Sequence, residues 1–432
     1  MIDTGDTAWV LISAAWFHYD TWSGFLLWRH GPQQERPDYD YAEFLHCRDD
    51  FRRMDHPRYA MTFGTDIGGF IGSLDKIGLA GVGLNVLENG TIPELAFVAF
   101  QCMFAVITPA LITGAFAERM RFAAFAVLIL LWAILIYNPM AHWVWGGGFL
   151  AQLGALDFAG GLVIHILSGV SGLTICILLG TRRGYGQFAM LPHNLPMTVL
   201  GATLLWFGWF ASTPVRTRRQ WPGCQCFRHD AGRSCCCHGF LVLVEWIRNG
   251  KPTILGAASG CIAGLVAITP AAGFVKPMPA VCIGLIGGVV CYLAVAVLKE
   301  KLGYDDSLDA FGVHGIGGTW GSIATGLWAT TEVNPAGADG LFYGDSHLLF
   351  AQVVSVIVAY ALAIIGTYIL FKIVSSFMKV RTDETEEIAG LDIVEHGERG
   401  YASSMMSGSP IIASLENSSE MLANTILRTQ KE

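Results

Sequence analysis

Two histidines occupy corresponding places in two glycine-rich apolar stretches, and an aspartate opens each stretch. The first stretch runs from Asp157 to His165 and the second from Asp309 to His314. An imidazole can accept a hydrogen bond at one nitrogen while it donates from the other, which suits proton handling. A lone buried histidine is more often a satisfied core residue. The repeat in two halves of the chain instead favours a paired site, built between inverted halves at the middle of a membrane.

The composition predicts that the elements around these histidines are membrane-spanning helices. Of 432 residues, 53% are hydrophobic and 14% are charged, and the mean hydropathy is +0.48. About a quarter of the residues of a soluble domain are charged, so this composition fits a membrane protein better than a soluble one. The net charge of -8 does not indicate nucleic-acid binding. A shorter apolar start covers Ala8 to Phe17, and eight stretches are long enough to span a bilayer, near 92–117, 122–141, 160–180, 195–211, 254–273, 278–298, 310–331 and 347–378.

Lysine and arginine are distributed unevenly over the loops between these stretches. They occur at 118–121, 181–183, 246–251, 299–301 and 379–381, whereas 142–157 and 334–347 contain none. Basic loops usually face the cytoplasm. The distribution therefore predicts a multi-pass protein whose chain after Arg381 is cytoplasmic, and it requires one more span between Phe210 and Trp246.

Five motifs resemble those of a known family. They are GAFAERM at 114–120, HWVWGGG at 142–148, DFAGGLVIH at 157–165, ITPAAG at 268–273 and DAFGVHGIGG at 309–318. Together they resemble the Amt/Mep/Rh family, on its bacterial ammonium transporter side, and GLDIVEHGER at 390–399 is similar to its cytoplasmic tail. The resemblance covers 1–14 and 59–400 apart from 212–239. It implies an all-α polytopic membrane protein with the ammonium transporter fold, in which eleven transmembrane helices form two inverted pseudo-symmetric halves.

The resemblance also implies a role for each candidate residue. Ammonium would be recruited at an extracellular aromatic site, deprotonated, and conducted past twin histidines. The family's inner gate Phe and recruiting Ser would fall within 212–239, where Ser212 stands at the gate position. The implied set is Trp145 and Phe104 for recruitment and the outer gate, Asp157 and Asp309 for structural and electrostatic support, and His165, His314 and Thr269 for the pore lining.

Three of these residues also have ordinary alternatives. The indole face of Trp145 can hold a cation, but Trp is common at any membrane interface. Asp157 is placed to cap a helix N-terminus, a role that is compatible with electrostatic support. The Thr269 hydroxyl either lines the pore or bonds its own backbone.

The implied function is transmembrane transport of ammonium or ammonia in the cell inner (plasma) membrane, by a homotrimer that needs no cofactor or metal. A PII-type regulatory protein is the expected partner at the cytoplasmic face. No nucleophile–base pair or cofactor loop indicates an enzyme. Two alternatives stay open: an ammonium sensor coupled to a signalling partner, and an inactive product of a frameshifted gene. A sensor would usually carry an appended signalling domain, whereas 33 mostly polar residues follow Arg399.

Two stretches, 16–58 and 212–239, interrupt the apolar pattern with charged residues. They could not lie in hydrocarbon, where a central charge costs about 2.5–3.5 kcal/mol. Both are interpreted as frameshifted segments that corrupt helices 1, 2 and 7 of the expected eleven. Cys224, Cys226 and the run 235–238 are zinc-ligand types, but their spacing matches no standard finger, so no metal is expected. The predicted domains are a transmembrane ammonium-channel domain at 1–380 and a cytoplasmic C-terminal tail at 381–432.

Overall fold

Long helices build the structure, a computed structural model that describes residues 2–27, 57–85, 90–187, 190, 194–212, 242–248 and 250–397, with the backbone alone over 16–27 and 210–212. Each of the eight predicted stretches coincides with a helix. Five of these helices are long and apolar enough to cross a membrane: Glu94–Thr113, Phe122–Gln152, Gly161–Leu179, Pro277–Leu302 and Ser346–Phe377. The other three are Leu195–Ser212, Ile254–Ile268 and the π-helical turn Phe311–Gly315, which continues as Ile316–Trp328.

Shorter elements complete the described chain. The apolar start Ala8 to Phe17 lies inside the helix Thr4–Leu27. One short antiparallel hairpin, Asp66–Ile67 with Ile71–Gly72, lies among the helices. The remaining helices are Tyr59–Phe63, Leu74–Leu79, 242–248, Leu341–Tyr343, Glu384–Ala389 and Leu391–His396. Most of the two interrupted stretches, including the Cys/His run, lies outside the described residues, so the frameshift interpretation stays a prediction.

The outer surface of the helices is apolar. On Ser346–Phe377, large side chains that include Ile357, Ile364, Ile365 and Ile369 are each at least 47% exposed. A soluble monomer rarely exposes a contiguous apolar surface of this kind. The surface therefore suits a lipid environment, as the composition predicts.

The predicted cytoplasmic loops meet at one end of the bundle, here called the basic end. The Arg119 guanidinium donates to the carbonyls of Gly180 (2.7 Å) and Asp305 (2.7 Å). The Arg121 N–H donates to the Val380 carbonyl at 2.9 Å, and the Arg121 guanidinium pairs with the Glu386 carboxylate. The start of the tail is thus packed against the loops of the basic end.

The opposite end, here called the hairpin end, carries the β-hairpin and the loop that contains Trp145. The Phe149 N–H donates to the Gly69 carbonyl at 2.9 Å, and the Trp143 indole donates to the Phe70 carbonyl at 2.7 Å. These bonds attach the hairpin directly to the predicted extracellular loop.

The two histidine-bearing helices cross within the bundle at glycines. A Cβ on Gly169 would lie 2.3 Å from the Gly315 nitrogen, and a Cβ on Gly318 would lie 3.0 Å from the His165 Cβ. Small residues allow helix backbones to approach closely in lipid. The approach at Gly169 and Gly315 places the two histidines on facing surfaces.

Candidate functional site

His165 and His314 face each other inside the bundle. Their Nδ1 atoms are 3.2 Å apart, and the rings lie within 19° of parallel with centroids 5.2 Å apart. His165 is 2% exposed, and His314 is partly buried. Because a nitrogen-to-nitrogen hydrogen bond needs one donor and one acceptor, one ring must carry a proton at Nδ1 and the other must accept there. The structure thus brings together the two histidines that the sequence pairs.

A small cavity lies beside the pair. Its volume is about 30 Å³, enough for one or two water-sized molecules. Apart from the two imidazoles and one indole, the lining is aliphatic or phenyl, so it offers few polar groups that could replace the water shell of a cation. The lining residues are Phe104, Ile107, Leu111, Ala159, Ile164, His165, Leu205, Trp209, Ile262 and His314.

Asp157 caps the helix that carries His165. Its Oδ1 accepts from the N–H groups of Gly160 (2.8 Å) and Gly161 (2.7 Å), and its Oδ2 accepts from those of Leu162 (2.7 Å) and Val163 (3.2 Å). The carboxylate therefore satisfies orphan donors and complements the positive end of the helix dipole. It does not line the cavity.

Asp306 performs the corresponding task for the helix that carries His314. Its Oδ1 accepts from the Ala310 N–H at 3.1 Å and its Oδ2 from the Phe311 N–H at 2.8 Å. Asp306 precedes His314 by eight residues, the same spacing that separates Asp157 from His165.

This spacing corrects the sequence pairing of Asp157 with Asp309. Asp309 instead forms an ion pair with Lys299 (Oδ1 to Nζ, 2.7 Å), and its side chain is 32% exposed. The error arose because the motif begins at Asp309, although the capping carboxylate lies three residues upstream. The matching spacing from aspartate to histidine is the signal that could have identified Asp306.

Trp145 and Phe104 adjoin each other towards the hairpin end. Their ring centroids are 5.7 Å apart, and Phe104 also lines the cavity. The Trp145 indole N–H donates to the Asp157 carbonyl at 2.9 Å, so the backbone of the capping residue orients the ring. The two aromatic candidates and the histidine pair therefore belong to one continuous site.

The hairpin supports the helix that leads to Trp145. His142 is fully buried, with Nδ1 2.8 Å from the Thr62 carbonyl oxygen and Nε2 2.9 Å from Asp66 Oδ1. The hydrogen bond with His142 is the largest cause that lowers the pKa of Asp66. Sequence reasoning did not identify this contact, since the partners lie 76 residues apart.

Thr269 follows the second of its two sequence interpretations. Its hydroxyl donates to the Leu265 carbonyl at 2.7 Å, and Thr269 is absent from the cavity lining. It also accepts from the Trp209 indole at 3.0 Å. Trp209 lines the cavity and stacks on His165, and sequence reasoning missed it because an aromatic residue in an apolar span carries no distinguishing signal.

Comparison with known proteins agrees with this architecture. A model of the Ammonium Transporter Family matches residues 59–401. The ammonium transporter of Bacillus subtilis (strain 168) is 55% identical over 338 residues, which cover 78% of this chain and 83% of that protein. Ammonium transporter Amt1 of Archaeoglobus fulgidus is 44% identical over 353 residues, which cover 79% of this chain and 85% of that protein.

The fold matches a solved structure as well. The crystal structure of Saccharomyces cerevisiae Mep2 superposes with a TM-score of 0.82 at 30% identity, over 94% of this chain and 93% of that one. The chain therefore belongs to the ammonium transporter family, a family of all-α membrane transporters rather than enzymes.

Proposed function

We propose that this chain carries ammonium or ammonia across the cell inner membrane, and that the carried molecule passes His165 and His314. The observation that carries the proposal is the 3.2 Å contact between the two Nδ1 atoms beside a small cavity. A neutral molecule of the size of water fits this space, whereas a cation would lose its hydration there and gain only the two imidazoles and one indole as partners. Ammonium therefore transfers its proton to an imidazole nitrogen of the pair, and the histidines pass ammonia and relay that proton.

Recruitment takes place at the aromatic pair. The indole face of Trp145 attracts a cation by about 0.5–2 kcal/mol, and Phe104 separates that position from the cavity. Asp157 supports the site from beneath, because its carboxylate is occupied by backbone N–H groups and cannot serve as a ligand.

The basic end faces the cytoplasm in this proposal, and the hairpin end faces outward. The transmembrane ammonium-channel domain comprises 1–380 and the cytoplasmic tail 381–432. Three such chains assemble with one pore each, and a PII-type protein acts at the basic end. The concentration of Arg119, Arg121, Arg182 and Arg381 at that end supports this orientation through the positive-inside rule.

The test is uptake of labelled methylammonium by cells that lack their own ammonium transporters. In the frame-corrected chain, we expect His165→Ala and His314→Ala to abolish uptake or change its selectivity without preventing assembly. His347→Ala is the matched control, because His347 is exposed at the hairpin end. Normal, ammonium-selective uptake by both single variants would overturn the proposal.

The same assay addresses the frameshift interpretation. The chain as written and a frame-corrected chain are compared side by side, after resequencing of the gene. Uptake by the corrected chain alone would assign the loss to 16–58 and 212–239 rather than to the histidine site. Equal uptake by both chains would remove the inactive-product alternative.

A further inference from the structure

We propose that Thr269 is a positioning residue for the histidine pair: its hydroxyl fixes the Trp209 indole, and the indole fixes the orientation of the His165 ring. The inference rests on the proposed function, since it assigns Thr269 an effect on passage at His165. It replaces the pore-lining role with an indirect one.

The hydrogen bonds at Thr269 have defined directions. An indole Nε1–H can only donate, so the Thr269 hydroxyl accepts from Trp209 at 3.0 Å. The hydroxyl proton is then directed to the Leu265 carbonyl at 2.7 Å. The result is a chain from Trp209 through Thr269 to the Leu265 backbone, and consecutive hydrogen bonds in a low-dielectric interior strengthen one another.

The indole held by this chain lies flat against His165. The two ring planes are within 10° of parallel, with centroids 5.3 Å apart. His314 lies 5.2 Å from His165. The second side-chain torsion of histidine has a broad energy minimum, so its own rotamer preference does not fix the direction of Nδ1. The flat contact with Trp209 restricts the plane of the ring, and within that plane the hydrogen bond to His314 sets the direction of Nδ1.

Thr269 also anchors the backbone that precedes the His165 helix. Its carbonyl accepts from the Ala159 N–H at 3.2 Å, and the next carbonyl, that of Pro270, accepts from the Phe158 N–H at 3.1 Å. The same residue thus connects the indole above the His165 ring with the chain that leads into its helix. Displacement of either would change the distance between the two Nδ1 atoms.

Thr325 provides a matched comparison. It is as buried as Thr269, and its hydroxyl donates to the carbonyl four residues earlier, Gly321, at 2.9 Å. Among the described residues no indole donates to Thr325. A hydroxyl that only bonds its own backbone is a common device in membrane helices, and the bond from Trp209 is what distinguishes Thr269.

The experiment measures methylammonium uptake per transporter in the membrane for four variants: Thr269→Val, Thr269→Ser, Thr325→Val and Trp209→Phe. Valine keeps the shape of threonine but removes the hydroxyl that accepts from the indole N–H, whereas serine retains it. We expect Thr269→Val to lower the maximal rate about fivefold, the scale of one buried hydrogen bond. The apparent KM should stay unchanged, because recruitment takes place at Trp145. Thr269→Ser and Thr325→Val should resemble the wild type.

A double-mutant cycle tests whether Thr269 acts through Trp209. Trp209→Phe keeps a flat ring but has no N–H, so adding Thr269→Val to it should cause no further loss. Additive losses, a raised KM, or a wild-type rate in Thr269→Val would each overturn the proposal. If the Thr269→Val variant does not accumulate in the membrane, the uptake rate of Trp209→Phe is decisive. A wild-type uptake rate in Trp209→Phe overturns the proposal, and a reduced uptake rate supports it. If the His165 and His314 variants lose uptake while Thr269→Val keeps the wild-type rate, this inference alone is rejected and the proposed function stays intact.

Discussion

Asp157 and Asp306 cap two helices that start from opposite ends of the bundle, each eight residues before a histidine of the pair. Both helices open with a π-helical turn, Gly161–Ile166 and Phe311–Gly315. π-helical turns are rare and are found frequently at functional sites. The inverted halves are therefore related in detail, with aspartate, π-turn and histidine in the same order.

The capping role predicts that Asp306→Asn is more damaging than Asp309→Asn. The amide NH2 of asparagine would face one of the backbone N–H groups that now donate to the Asp306 carboxylate. One buried donor would then lose its partner, at a cost of about 1–3 kcal/mol. Asp309→Asn removes only the partly exposed pair with Lys299, which contributes about 0–1 kcal/mol. Its left-handed backbone (φ 59°) is one that asparagine tolerates. The measurement is the thermal unfolding midpoint of both variants in detergent. If the two midpoints fell equally, the assignment of Asp306 as the capping residue would be contradicted.

A buried acid at the basic end predicts a pH-dependent stability. Burial raises the pKa of Glu118 from 4.5 to about 7, although Arg182, 3.5 Å away, opposes the shift. Between those two pH values the folded protein keeps a proton that the unfolded chain releases. The contribution of Glu118 to stability is therefore most favourable below the unfolded pKa of 4.5 and decreases as pH rises through 7.

Glu118→Gln should flatten this dependence, since glutamine stays neutral. The measurement is the unfolding midpoint in detergent between pH 4.5 and pH 7, with Glu384→Gln on the exposed surface of the tail as the control. If the unfolding midpoint of Glu118→Gln changes with pH as steeply as that of the wild type, another group is responsible for the pH dependence.

The sequence predicted what depends on local pattern. Apolar length located the eight helices, and the repeated motif identified His165 and His314 as a pair. Asp306 was missed because two aspartates close in sequence differ in role only through the turn that follows them. Trp209 was missed because its contact with His165 is created by the packing of a third helix, Leu195–Ser212, and leaves no periodic signal in the chain.

The proposed recruitment role predicts that Trp145→Leu weakens apparent affinity. Leucine keeps an apolar side chain but removes the indole face, so the apparent KM for methylammonium should rise about twofold to thirtyfold. Trp143→Leu is the matched control, since its indole donates to Phe70 and packs on Phe149 instead of Phe104. Equal KM values for the two variants would place recruitment elsewhere.

The glycine contact between the histidine-bearing helices predicts that Gly169→Ala impairs both stability and transport. The new Cβ would lie 2.3 Å from the Gly315 nitrogen, and backbone atoms cannot move aside as a flexible side chain can. The helices must separate, at a cost of about 1–3 kcal/mol for an overpacked interior. Their separation would also lengthen the 3.2 Å contact between His165 and His314, so uptake per transporter should fall together with the unfolding midpoint. Gly83→Ala is the control, because a Cβ there meets open space. If both alanine variants unfolded at the wild-type temperature, the close crossing of the two helices could not be what holds the histidines together.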